Sequence, residues 1–70
     1  MIHYRQDRFT QQVFRRAKGA PEEYVAKEKD WIVTGDAISA FHDSSDYRAI
    51  TEQEASEAIE HQNRAADNKL

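Results

Sequence analysis

The chain has 70 residues, a formal net charge of −3 and no cysteine, which excludes disulfides, thiolate nucleophiles and zinc–thiolate sites. A domain this short buries only about 60 % of the surface that its unfolded chain exposes, and self-association is a common remedy for so small a core. No apolar run approaches the ~18 residues of a membrane span. With the lack of cysteine, this predicts a cytoplasmic chain that contacts no membrane.

The N-terminal third of the chain supports two interpretations. As a helix, it would be capped by Asp7 and ended by the glycine and proline at 19–21. As a hairpin, strands over 10–17 and 23–27 would flank the same turn. We favour the hairpin, because it supplies a neighbour for the β-prone run at 31–34, which would otherwise be an isolated strand.

The middle of the chain predicts a short helix between two extended segments. The β-prone run at 31–34 comes first, and Asp36 is expected to cap a helix that continues to Phe41. Ile38 and Phe41 would then share its buried face. A polar loop should lead to a further extended segment at 47–50, whose apolar side chains reach back to the core.

The C-terminal end carries the clearest local signal. Thr51 and Glu54 have the spacing of a capping box, in which each side chain bonds the backbone N–H of the other residue. An amphipathic helix with a mostly alanine buried face is expected from about 52 to 64. We therefore expect one domain over 1–66 and a disordered tail over 67–70.

These elements predict an α+β fold: an antiparallel meander of about three strands, a short helix, and a C-terminal amphipathic helix packed on the sheet. A small all-α bundle is the alternative. The core must come from the large apolar side chains spread along the chain, namely Ile2, Tyr4, Phe9, Val13, Phe14, Tyr24, Val25, Trp31, Ile32, Val33, Ile38, Phe41, Tyr47, Ile50 and Ile59.

The residue pattern offers little chemistry. The only two glycines, Gly19 and Gly35, are far apart, whereas phosphate-cradling loops need clustered glycines. A hydrolase could be imagined with His42 activating Ser44 or Ser45, but no strained nucleophile turn surrounds them. No regular metal-ligand spacing is present either. We therefore expect no catalytic residue, metal, cofactor or small-molecule substrate, and no enzymatic activity.

Charge is divided unevenly along the chain, with a net +4 over the first twenty residues and −7 over the remaining fifty. Such asymmetry indicates a surface that meets a charged partner. The candidate interaction residues lie in the basic N-terminal segment and on the acidic C-terminal helix, namely Arg5, Arg8, Arg15, Arg16, Lys18, Glu57 and Glu60.

These charges support three interpretations. The basic segment could pair with the acidic helix inside the molecule. The chain could be a small protein-interaction or regulatory module that uses either charged surface, with self-association as one form of this. The alternative function is nucleic-acid binding, because aromatics and cations alternate in the N-terminal segment, although the net negative charge disfavours it. We favour the protein-interaction module.

Overall fold

The computed structural model describes residues 1–42 and 45–68. Within these ranges the elements are five strands and two helices, in the order β1 (His3–Asp7), β2 (Val13–Arg16), β3 (Glu22–Val25), β4 (Asp30–Val33), α1 (Gly35–His42), β5 (Tyr47–Ile50) and α2 (Glu52–Asp67). The strands form one antiparallel sheet in the order β4-β3-β2-β1-β5. The predicted α+β class is confirmed, but the sheet has five strands where we expected about three, and the all-α alternative is not supported.

Strand β1 is the element that the sequence analysis missed. It lies at the centre of the β2-β1-β5 part of the sheet, where Tyr4 is opposite both Arg15 and Ile50. Asp7 caps no helix; its carboxylate accepts hydrogen bonds from the backbone N–H groups of Phe9 (2.7 Å) and Thr10 (2.9 Å) in the turn to β2. The hairpin interpretation is thus the correct one for β2 and β3.

The sheet buries side chains on both faces. Val13 and Phe14 are adjacent in β2, and they are 0 % and 2 % exposed. Since neighbouring residues of a strand point to opposite faces, each one anchors a different core. On one face Val13, Tyr24 and Ile50 of the sheet pack with Ala55 of α2, and on the other face Phe14 packs with Ala37 and Ala40 of α1.

Helix α1 begins and packs differently from the prediction. The hydroxyl of Thr34 accepts the backbone N–H of Ala37 at 3.0 Å, so Thr34 caps the helix in place of Asp36. The buried side chains of α1 are Ala37 and Ala40, whereas Ile38 is 53 % exposed. The small alanines bring the helix backbone close to the sheet, which turns Ile38 outward.

Helix α2 starts as predicted. The capping box is complete, with Glu54 N donating to Thr51 Oγ1 at 3.1 Å and Thr51 N donating to Glu54 Oε1 at 3.0 Å. The helix runs beyond the expected end near residue 64 and includes Asp67, and Asn68 caps it. Residues 69 and 70, the rest of the expected tail, lie outside the described residues.

None of the helices within 1–42 and 45–68 combines the length and the apolar character that crossing a membrane requires.

Several expected core residues are exposed instead. The exposed large apolar side chains that we had assigned to the core are Ile2, Phe9, Ile32, Val33 and Ile38.

Candidate functional site

Helix α2 crosses its face of the sheet obliquely. It begins directly after Ile50 in the edge strand β5, and its last turns are fixed to the other side of the molecule. There the hydroxyl of Tyr24 donates to Asn63 Oδ1 at 2.8 Å, and Lys29 Nζ lies 3.5 Å from Asp67 Oδ1. This path leaves one corner of the sheet uncovered, where β2 and β4 end and β3 begins.

Strand register lines up the side chains of this corner. Val33 is opposite Glu22, Glu22 is opposite Arg15, and Arg15 is opposite Tyr4, all on the face that α2 packs against. We name these four residues the cross-sheet row. Val33 is 55 % exposed, and the side chains of Arg15 and Glu22 are 31 % and 32 % exposed. The row is therefore a half-open surface.

Trp31 lies against the row and organises it. The guanidinium carbon of Arg15 is 4.3 Å from the centre of the Trp31 ring, and Arg15 Nε donates to Glu22 Oε1 at 2.9 Å. The Trp31 ring also meets Tyr24 edge-on at 5.3 Å and lies 6.3 Å from the ring of Tyr4. Arg15 is thus held in place by an aromatic face and a carboxylate, and its charge is compensated within the molecule.

The other cations of the basic segment do not form one patch. Arg5 points to the opposite face, where Nη1 donates to the carbonyl of Ala40 at 3.2 Å and the guanidinium lies 5.4 Å from the Phe41 ring centre. That contact occupies Arg5 within the fold. Arg8 is exposed in the β1–β2 turn, at the far end of the sheet from the cross-sheet row.

Two cations remain at the end of the sheet that carries the row. Arg16 and Lys18 are both exposed, at the end of β2 and just after it. We name this pair the basic rim. Beside it, an open groove of about 800 Å³ runs past the start of β1, and its lining includes Ile2, Tyr4 and Arg16. Arg16 follows Arg15 in β2 and so points to the α1 face, whereas the row lies on the α2 face. The rim and the groove meet the row at this end of the sheet, where Tyr4 lines the groove.

The acidic helix does not pair with the basic segment. Glu57 Oε1 accepts a hydrogen bond from Gln53, and Glu60 pairs with Arg64 on the same helix. Within 1–42 and 45–68, no ion pair joins the basic segment to α2. The intramolecular pairing that we had considered is therefore not what the fold uses, and Glu57 and Glu60 remain on an exposed helix face.

Metal and hydrolase chemistry gain no support from the geometry. His42 is exposed at the end of α1, and Ser44 lies outside the described residues. Among residues 1–42 and 45–68, no three His, Asp or Glu side chains are arranged to hold a metal ion. The absence of an enzymatic activity stays a prediction.

The candidate residues include Arg15, whose role stays a prediction, but not its stacking partner Trp31 or the exposed Val33, which the sequence assigns only to the core. The available signal was their spacing of two, which puts both on one face of a short strand. Neither a protein-family model, nor a curated protein, nor a solved structure shows significant similarity to this chain.

Proposed function

We propose that this chain is a small non-enzymatic protein-interaction module, and that the cross-sheet row with its basic rim binds an acidic segment of a partner protein. The observation that carries this proposal is the placement of Arg15 over Trp31 in a part of the sheet that α2 leaves open. Aromatic residues and arginine are enriched in protein interfaces and carry much of their binding energy. The lack of cysteine favours the cytoplasm as its compartment.

Preorganisation supports the assignment to this surface. Trp31 and Arg15 hold each other through the stacked contact, and Glu22 fixes the guanidinium from the side. Side chains that are ordered before binding lose less conformational entropy when a partner arrives. Exposed Val33 at one end of the row adds apolar area next to the aromatic ring.

The charge of the surface favours an acidic partner. Glu22 already compensates Arg15, so the exposed cations nearest to the row are Arg16 and Lys18, while Glu52 adds one carboxylate to the lining of the groove. A segment with aspartate or glutamate beside an aliphatic or aromatic residue would match them. Its carboxylates would meet the rim, and its apolar side chain would lie on the row or in the groove.

Nucleic acid fits the same surface less well. Of the five cations in the N-terminal segment, Arg5 and Arg15 are engaged inside the fold and Arg8 lies at the far end of the sheet. Two cations beside one half-buried tryptophan neutralise few phosphates. Binding of a single-stranded oligonucleotide in preference to acidic peptides, with a steep dependence on salt, would replace our proposal by this alternative.

The proposal can be tested with short random peptides selected by phage display against the immobilised chain. The best peptide is then synthesised and titrated while the fluorescence of Trp31, the only tryptophan of the chain, is recorded. We expect selected peptides rich in Asp and Glu next to apolar residues, and a fluorescence change on binding. Selection of basic or uncharged peptides would contradict the proposal.

Charge-matched variants locate the binding surface. Replacing the rim, Arg16→Glu with Lys18→Glu, should weaken binding by about tenfold or more, because like charges then face each other across the contact. Arg8→Glu with Lys27→Glu makes the same change in net charge at exposed positions on the far end of the sheet and should leave the affinity within about threefold. Equal effects of the two pairs would show attraction by net charge alone and would contradict the assignment.

A further variant tests the acidic helix. Glu57→Lys with Glu60→Lys reverses charge on the exposed face of α2, away from the row. We expect no loss of affinity for the acidic peptide. Loss of binding in this variant, with the rim variant unaffected, would move the interaction surface to α2 and overturn the proposal.

A further inference from the structure

Strand β4 ends the sheet on one side and pairs only with β3 among the described strands. Its outer edge therefore carries backbone N–H and C=O groups without a strand partner. Natural proteins protect such edges with lysine, proline, a bulge or a covering element. Within its four residues, β4 has only Asp30 at its start as a charged residue and no proline.

The side chains of this edge are apolar and exposed. Ile32 is 40 % exposed on the α1 face, and Val33 is 55 % exposed on the α2 face. The opposite edge is different, because β5 carries Arg48 in its centre and its apolar Ile50 is buried. Of the two edges, β4 is the one suited to strand pairing.

We propose that two copies of this chain pair antiparallel through β4, which joins their sheets into one ten-stranded sheet around a two-fold axis at Ile32. The occupant of the edge is thus a second copy. This inference goes beyond the proposed function. Edge pairing sets Trp31 of one copy beside Val33 of the other at the β4 end of the row, and it leaves Arg15, Glu22 and the rim uncovered because none of them is in β4.

Register selects Ile32 as the centre. A two-fold axis perpendicular to the sheet joins each face of one copy to the same face of the other. Residues that oppose each other across the axis must therefore point to the same face, so both are even-numbered or both are odd-numbered. With Ile32 at the axis, Trp31 is opposite Val33 of the second copy, Ile32 is opposite itself, and Asp30 is opposite Thr34. Counting both copies, these are three apolar pairs and two pairs that set a charge against a hydroxyl, with no like charges opposed.

The neighbouring registers are worse. A centre at Val33 would require pairing with Gly35, where α1 begins. A centre at Trp31 would set Asp30 against Ile32 and Lys29 against Val33, which places charges on the apolar positions. The Ile32 register therefore gives the best match between the side chains of the two copies. A two-fold dimer requires such a match, because the same strand forms both sides of the interface.

A pair of four-residue strands buries less than the ~1,200 Å² of a stable complex, so the dimer should be concentration-dependent. Sedimentation equilibrium from about 10 µM to 1 mM should show the mass rising from 8.1 kDa towards twice that value. Backbone amide NMR signals of β4 should move with concentration while those of β5 stay fixed. A monomer mass at every concentration would overturn the proposal.

Two variants at the axis give a sharper test. Ile32→Lys and Ile32→Glu each place like charges directly opposite across the two-fold axis, and each should stay monomeric. An equimolar mixture should recover the dimer mass, because lysine then faces glutamate. Ile38→Lys, at another exposed isoleucine outside β4, should dimerise like the unmodified chain.

The outcomes separate this inference from the proposed function. Dimerisation of both axis variants, failure of the mixture to recover the dimer, or loss of the dimer in Ile38→Lys would each contradict the Ile32 register. Should a lysine at 32 fail to fold, the concentration-dependent amide shifts of the unmodified chain still decide the question. The rim variants Arg16→Glu and Lys18→Glu should dimerise normally, since neither residue is in β4.

Discussion

Val13 and Phe14 are neighbours in the chain and are both buried, yet they belong to different cores. Val13 packs with Tyr24, Ile50 and Ala55 beneath α2, and Phe14 packs with the alanines of α1. The ring of Phe14 also meets the Tyr47 ring edge-on at 5.5 Å. One dipeptide therefore anchors both helices to the sheet, which concentrates the stability of this small domain in β2.

Replacing Phe14 by alanine should destabilise the fold by about 3 to 5 kcal/mol, because the side chain is fully buried and Ala37 and Ala40, the buried residues of α1, are too small to fill the cavity. Small domains have about 5 kcal/mol of stability in total, so this variant should retain about 2 kcal/mol or less and unfold at a much lower urea concentration. Phe9→Ala is the control, since Phe9 is 78 % exposed and should change stability by less than about 0.5 kcal/mol. Urea denaturation followed by circular dichroism measures both, and equal midpoints would contradict the two-core account.

The Val13–Phe14 pair also shows how far the sheet could be predicted from the sequence. Two adjacent buried apolar residues are typical of a strand covered on both faces, but they also fit one face of a helix, so β2 was ambiguous from its sequence alone. Helix α2 was recognisable because its start depends on Thr51 and Glu54, which are three residues apart. Signals of this kind need no knowledge of the tertiary structure.

Strand β1 and the row could not be predicted, for a physical reason. Between His3 and Asp7 only Tyr4 is strongly β-prone, and the segment is extended because it pairs with β2 and with β5 more than forty residues away. Sheet pairing of this kind depends on the partner strands more than on intrinsic propensity. The exposure of Val33 and the partial exposure of Trp31 likewise follow from the oblique path of α2, which no local pattern encodes.

Acid should destabilise the fold through two carboxylates. Hydrogen bonds from the backbone N–H groups of Thr10 and Phe9 hold the pKa of Asp7 below its ordinary value, and the backbone N–H of Thr51 does the same for the pKa of Glu54. Because both pKa values are lower in the folded state, the stabilisation is present above the ordinary carboxyl values near pH 4 and is lost as the pH falls below them.

We expect the urea midpoint to be constant from about pH 5 to 7 and to fall below about pH 4. Asp7→Asn keeps an oxygen that accepts hydrogen bonds from the two N–H groups of the turn, but its amide does not titrate. This variant should therefore show a smaller fall of the urea midpoint at low pH. Asp36→Asn, at an exposed carboxylate that caps no helix, is the control and should leave the profile unchanged. An identical pH profile for Asp7→Asn and the unmodified chain would contradict the role of this carboxylate.

Arg15 should stabilise the fold through its stacked contact more than through its ion pair. Arg15→Ala is expected to cost about 1 kcal/mol, because a partly exposed cation–π contact is worth ~0.5 to 1 kcal/mol and a surface ion pair less. Arg15→Lys should recover less than half of this loss, since lysine lacks the planar group that lies on Trp31. Arg16→Ala is the matched control and should be neutral within about 0.5 kcal/mol.

High salt separates the two contributions of Arg15. In about 1 M NaCl the ion pair with Glu22 is screened, so Glu22→Gln should become neutral while Arg15→Ala keeps most of its cost. Chemical denaturation with urea, which adds no ions, measures both effects. If the cost of Arg15→Ala disappears in salt together with that of Glu22→Gln, the contact with Trp31 contributes no stability and the preorganised row loses its basis.

The carbonyl of Gln11 should couple two glutamines from distant parts of the chain. Gln6 Nε2 donates to it at 3.1 Å and Gln62 Nε2 at 2.9 Å, and Gln6 is only 5 % exposed. Gln11 has a positive φ of 67°, a conformation that costs a non-glycine residue energy, so these bonds hold a strained turn against α2. Each donor can partly replace the other when one is removed.

A double-mutant cycle measures this coupling. Gln6→Leu and Gln62→Ala should each cost about 1 kcal/mol or less, and the double variant should lose about 0.5 kcal/mol more than their sum, because the carbonyl then has neither donor. Gln6→Leu with Gln53→Ala, a glutamine on α2 that contacts only Glu57 among its described partners, should be additive. Additivity in the first pair would mean that water replaces both donors and that the turn is not held by α2, whereas coupling in both pairs would indicate a general loosening of the helix.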